Sequence, residues 1–125
     1  MINYDETAEF KKDFKRLLRK FPSLEEDFTV NKQYRIEVFH CQAVDSGSIF
    51  EIEGVGNVVD LKFYKIKKFQ CKNLKGRGAK SGIRVIYAYI PAKQKIIFLE
   101  IYFKADQDNE SRQRIKDFAS NIYAN

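Results

Sequence analysis

Between Leu61 and Arg84 the chain holds nine cationic side chains and no acidic one: Lys62, Lys65, Lys67, Lys68, Lys72, Lys75, Arg77, Lys80 and Arg84. Cations crowded in this way repel one another unless an anion sits among them. Phosphate is the anion such a composition suits; a solvated, solubilising face is the alternative. Lys65 and Lys67 are alternate residues in a stretch rich in β-branched and aromatic types, so on a strand they project from one side. Arg84 opens a second stretch of that kind and can join them from a neighbouring strand. Its planar fork suits bidentate contact with a phosphate.

The charge is unevenly placed. Residues 1–60 hold 8 basic and 12 acidic side chains, residues 61–125 hold 15 and 5, and the 125-residue chain carries a formal charge of +6. His40 is the only histidine, and Cys41 and Cys71 are the only cysteines. Two cysteines make no disulfide framework, and one histidine beside them makes a poor metal site, so neither metal nor cofactor is expected. His40 and Cys41 read instead as a satisfied, partly buried pair near a helix end. The longest apolar runs, such as Ile96-Ile97-Phe98-Leu99, fall far short of the roughly 20 residues a membrane span needs. Met1–Glu6 lacks a basic segment followed by an apolar one, which predicts no secretory leader and a cytoplasmic protein.

The elements that must position the cations follow from periodicity. Residues 2–5 suit a short strand. Phe10, Phe14, Leu17, Leu18 and Phe21 recur on one face of a helix over Thr7–Phe21, with acids at its start, bases at its end and Pro22 behind it. Ser23-Leu24-Glu25-Glu26 reads as a capping box opening a second helix, which makes a helical hairpin. Residues 28–41 alternate like a strand at Tyr34, Ile36 and Val38, yet also fit helical spacing, and helix is the preferred reading. Ser46–Asn57 reads as a loop with at most a short strand around Ile49–Ile52. Val58–Phe69, Ile83–Ile90 and Lys95–Phe103 read as strands, the last two joined as a hairpin by Pro91-Ala92-Lys93-Gln94. Glu110–Tyr123 places Ile115, Phe118 and Ile122 on one helical face. The expectation is one α+β domain spanning residues 1–125: an N-terminal helical hairpin packed on a small antiparallel sheet of about 3–4 strands, with a C-terminal helix.

Three segments in this order carry a resemblance. Tyr64-Lys65-Ile66-Lys67-Lys68-Phe69 resembles the basic strand of RelE-type toxins. Ser81-Gly82-Ile83-Arg84-Val85-Ile86-Tyr87 resembles their S-G-x-R-[VL]-[IV]-Y strand. Ile97–Asp106 resembles their last strand and its exit. With residues 70–80 between the first two segments, the chain resembles a longer branch of the RelE/ParE superfamily. The resemblance implies a toxin of a type II toxin–antitoxin system, with a cognate antitoxin as partner. It further implies a ribosome-dependent mRNA endonuclease that inhibits translation, with mRNA and ribosomal RNA as its other partners. The alternatives within the superfamily are a ParE-like gyrase poison and a catalytically degenerate relative that binds RNA or the ribosome.

Metal-independent RNA cleavage proceeds by attack of a 2′-hydroxyl on the adjacent phosphate. The protein must take the 2′ proton, stabilise the charge growing on phosphorus and protonate the leaving 5′-oxygen. Carried over onto this chain, the resemblance makes Lys65 the candidate base and Lys67 a phosphate contact, the two being exchangeable. It makes Arg84 the phosphate clamp, and gives Lys104, at the exit of the last strand, the leaving-group or phosphate role. Neighbouring cations are expected to depress a lysine's proton affinity. Lys62, Lys68, Lys72, Lys75, Arg77 and Lys80 are candidate RNA-backbone contacts. Tyr87 is either core or a base-stacking platform. The chain departs from the family pattern at Ala105 and Ser111, and it has no tyrosine between Tyr102 and Tyr123.

Overall fold

The computed structural model describes residues 2–45, 47–55, 60–67, 69, 71–74 and 82–122. Among these described residues five strands form one mixed sheet in the order β1-β5-β4-β3-β2. They are β1 (Asn3–Glu6), β2 (Ile49–Ile52), β3 (Lys62–Ile66), β4 (Ile83–Ile90) and β5 (Lys95–Phe103). The three long antiparallel strands lie at the centre, as their residue types predict. The expected three to four strands become five because two short segments, β1 and β2, pair at the two edges. β1 runs parallel to β5, so the sheet is not wholly antiparallel.

The helices are α1 (Ala8–Lys20), α2 (Leu24–Asn31), α3 (Val38–Gln42) and α4 (Arg112–Asn121), with a π-helical stretch, Lys32–Glu37, joining α2 to α3. Residues 28–41 are therefore helical, despite the strand-like alternation. Thr7 caps α1 by accepting the Phe10 N–H at 3.1 Å, and Glu9 and Arg19/Lys20 complement its dipole. The predicted capping box does not form in the usual way. The Ser23 hydroxyl donates to the Asp27 carboxylate at 2.7 Å and accepts the Asn73 N–H at 3.0 Å. It ties the helical hairpin to the Lys72–Leu74 turn instead of capping α2.

Alternation along the central strands sends side chains to two different cores. On one face Tyr64, Ile66, Val85, Tyr87, Phe98 and Ile101 pack under α1, α2 and the π-helical stretch. Phe98 is its hub: fully buried, it lies 5.4 Å from the Phe10 ring and 4.8 Å from the Phe28 ring, the latter edge-on. On the other face Phe63, Ile86, Ala88, Ile90 and Leu99 pack under Ile115, Phe118 and Ala119 of α4 and Ile122 just past its end. Here β5 carries an irregularity opposite Ile86/Tyr87. Among the described residues no helix is long and apolar enough to cross a membrane.

α4 covers only one half of this second face, because its start is anchored over the sheet. Ser111 caps it by accepting the Arg114 N–H at 3.2 Å. Arg114 reaches Asp13 of α1 at 2.6 Å and the Leu99 carbonyl at 3.0 Å. Glu100, buried in β5, accepts from the Ser111 N–H at 2.8 Å and from the Gln107 amide at 2.9 Å. These contacts set the path of residues 104–111, which border the uncovered half.

Candidate functional site

The uncovered half of the second face is a cleft of about 250 Å³ lined by Lys65, Lys67, Arg84, Tyr102, Lys104, Asp108 and Asn109. Sheet register explains the gathering. Lys65 lies opposite Ile86, which lies opposite Glu100, while Arg84 lies opposite Tyr102. All belong to one parity, and Lys67 and Lys104 continue that parity one step past the strand ends. All four residues read from the sequence as catalytic candidates therefore meet in one place. Gly82, two residues before Arg84, packs tightly against the start of the exit from β5. Its φ is +88°, and a Cβ there would sit 3.2 Å from the Phe103 ring. Its carbonyl accepts the Lys104 N–H at 2.8 Å, extending the β4–β5 ladder to the cleft lysine.

The electrostatics differ from the expectation in one respect. Lys65 is not left among cations alone: its ammonium lies 2.7 Å from Glu110 Oε1 and 3.2 Å from Asn109 Oδ1. Burial disfavours the charged form of Lys65, but the hydrogen bonds and charges of Glu110 and Tyr102 outweigh it and raise the ammonium above its ordinary range. The same ammonium holds the Glu110 carboxyl below its usual range, against the upward push of burial. Lys65 is thus a clamped cation, where crowding had suggested a depressed one. The pair is largely shielded, with side-chain exposures of 14% and 9%. Among the described residues Lys67, Arg84 and Lys104 make no ion pair, although Asp108 also lines the cleft and the Lys67 ammonium lies over the Phe50 ring.

Tyr102 was not singled out by sequence reasoning. Its hydroxyl lies 3.5 Å from Glu110 Oε1, and Lys65 Nζ lies 5.9 Å from its ring centroid. Burial pushes the phenol up, while Lys65 pulls it down. No tyrosine lies between Tyr102 and Tyr123, and Tyr102 itself lines the cleft. The available signal was its parity with Lys104 and its place across from Arg84, which needs the strand register. Glu110, Asn109 and Asp108 come from a loop whose path depends on Glu100, and nothing local in the sequence points them at Lys65.

Other candidates lie elsewhere. Tyr87 is fully buried on the opposite face, its hydroxyl 2.7 Å from His40 Nε2. It is the core alternative, and it offers no ring face to a base. Lys62 is exposed but has the other parity from Lys65. Lys72 pairs with Glu26 of α2 at 2.7 Å, on the side of the helical hairpin. Lys68, Lys75, Arg77 and Lys80 lie outside the described residues. His40 packs against Tyr64, Tyr87 and Tyr89, and burial lowers its pKa to about 4. Cys41 is exposed and Cys71 buried. Among the described residues no cluster of His, Cys, Asp and Glu has the arrangement of a metal site.

Among solved structures the chain is similar to a chain of the archaeal RelE–RelB complex from Pyrococcus horikoshii OT3. The two share 14% identity with a TM-score of 0.51, over 82% of this chain and 94% of that one. No protein-family model matches the sequence, and no curated protein does. The likeness is one of fold: helices packed on a small sheet in the RelE-like manner.

Proposed function

We propose that this RelE-like chain is the toxin of a type II toxin–antitoxin pair and that it cleaves mRNA on the ribosome. The observation that carries this reading is the convergence of Lys65, Lys67, Arg84 and Lys104 on one open cleft. A phosphodiester placed there meets Arg84 and Lys104, which make no ion pair among the described residues, together with the clamped Lys65 ammonium. Arg84 presents its fork to the phosphate, and Lys104 supports it from the end of β5. Such preset charge is the main requirement of a reaction whose transition state gathers negative charge on phosphorus.

The geometry favours exchanging the two lysine roles. Lys65, held as an ammonium by Glu110, suits donation to the leaving 5′-oxygen. Lys67, more open, suits acceptance of the 2′ proton in its neutral form. The 2′-oxygen then bonds to phosphorus as the bond to the 5′-oxygen breaks, leaving a 2′,3′-cyclic phosphate. Solvent restores the starting protonation of both lysines. Glu110 acts through Lys65 as a positioning residue. The antitoxin, by the same reading, is a protein whose acidic, apolar-studded segment orders on the cationic face and occupies its phosphate sites. The likeness to a chain of a RelE–RelB complex supports a protein partner for this chain.

The test is expression of the chain with and without its antitoxin, with mapping of mRNA 5′ ends. Growth arrest with new 5′ ends, abolished by Lys65→Ala and Arg84→Ala, is the expected outcome. Full toxicity of both variants overturns the site. Intact mRNA with a DNA-damage response turns the reading toward a gyrase poison.

A further inference from the structure

Four large apolar side chains are exposed among the described residues: Val30, Tyr34, Val44 and Phe50. The first three lie on or just beyond the helical stretch 24–42. Phe50 alone is on the sheet, 42% exposed on the edge strand β2. An isolated exposed apolar residue needs no explanation, but Phe50 is not isolated in function. It lies directly opposite Lys65, so its side chain shares the face of the cleft. Lys67 Nζ rests 4.6 Å from its ring centroid, so a cleft cation already uses the π surface. Two strand spacings, about 10 Å, separate β2 from the Arg84 strand. That is the length scale of one nucleotide from its phosphate to the far edge of its base.

We propose that Phe50 is the base-stacking platform of this site, taking one unpaired nucleobase while Arg84 holds the adjoining phosphate. In the free protein Lys67 occupies the ring. An incoming base displaces it, and the flexible lysine turns into the cleft, where the phosphate waits. Binding of a base is thereby coupled to delivery of Lys67. Stacking on a phenyl ring is tolerant of base identity, because every base has a π face. Phe50 therefore selects for an unstacked strand rather than for a sequence. This inference rests on the phosphate cleft proposed above, and it supplies the aromatic that Tyr87, buried on the other face, does not.

The experiment uses the full chain and two probes of equal length at one salt concentration. One is a short single-stranded DNA oligonucleotide containing 2-aminopurine, uncleavable because it lacks the 2′-hydroxyl. The other is its abasic counterpart. Phe50→Ala and Phe50→Leu are expected to weaken binding of the base-bearing strand by roughly five- to a hundredfold, to leave the abasic strand unchanged and to abolish 2-aminopurine quenching. Phe50→Trp retains both. Phe50→Leu keeps the apolar bulk, so an unfolded Phe50→Ala does not decide the result. Equal weakening of both strands, unchanged affinity for the base-bearing strand, or a wild-type chain that binds neither strand overturns the proposal. Arg84→Ala is expected to weaken both strands. If it weakens neither while the Phe50 variants still discriminate between them, the phosphate cleft fails and the stacking platform stands.

Discussion

The two faces of the sheet are written in the same strands by alternate residues, yet they are built by opposite rules. On the face under α1 and α2, Tyr64, Ile66, Val85, Phe98 and Ile101 are all buried, and the Phe28 and Phe10 rings lie 4.8 and 5.4 Å from that of Phe98. On the other face the same strands contribute Lys65, Arg84 and Tyr102, and α4 stops short of covering them. Gathering four cations costs Coulomb energy. The chain tolerates that cost because the opposite face packs densely, and because Glu110 neutralises the one lysine that is substantially buried. The packed core and the cationic cleft thus lie on opposite faces of the same strands.

The sharpest way to break the comparison is to exchange what each face loses. Phe98→Ala leaves a cavity at the packing hub and should cost about 3–5 kcal/mol of stability, read from the urea midpoint. Arg84→Ala should leave that midpoint within about 1 kcal/mol of wild type. It should lower cleavage by about 10²–10³-fold, the loss typical of a removed charge-stabilising donor, read as new mRNA 5′ ends. If Phe98→Ala and Arg84→Ala affect stability alike, the division between faces is wrong.

Glu110→Gln tests the link between them. It removes the charge that raises the proton affinity of Lys65, so the Lys65 ammonium should titrate at lower pH than in wild type, read by NMR of its Nζ. Stability should fall by about 1–3 kcal/mol, the cost of leaving a shielded polar group poorly paired. An unmoved Lys65 titration would sink the clamp.

The smallest effect concerns the packed face. His40 stays neutral in the fold down to about pH 4, because burial disfavours its charge. In the unfolded chain it takes up a proton near pH 6.5. Its contribution is therefore complete above about pH 6.5 and is lost as pH falls toward 4. The loss is about 1–2 kcal/mol once partial exposure is allowed for. Urea midpoints across that window should show the slope in wild type and not in His40→Gln.

Much of the architecture was legible in the chain. The amphipathic stripe of Phe10, Phe14 and Leu17, the β-branched runs Ile83–Ile90 and Lys95–Phe103, and even the short strand Ile49–Ile52 are local signals. The capping box misled because Ser23 found better partners in Asp27 and Asn73, which lie in different elements. The segment at residues 2–5 suited a strand, but only pairing made β1 a member of the sheet, parallel to β5, since four residues cannot show which neighbour will supply their hydrogen bonds. Tyr87 and Tyr102 show the limit for the site. Both are tyrosines on central strands, and only the register tells which one turns to the core and which to the cleft.

The sequence by itself determined the secondary elements and the cationic character of the β3–β4 region. It also determined the shared parity of Lys65 and Lys67, because periodicity and charge are properties of neighbours along the chain. Tertiary structure alone decided that Lys104 and Tyr102 join them, that Glu110 clamps Lys65 and that Phe50 stands beside Lys67. Those are contacts across 15 to 45 residues of sequence. They are fixed by strand register and by the anchoring of residues 104–111 on Glu100, where side chains meet through space and no local pattern records the meeting.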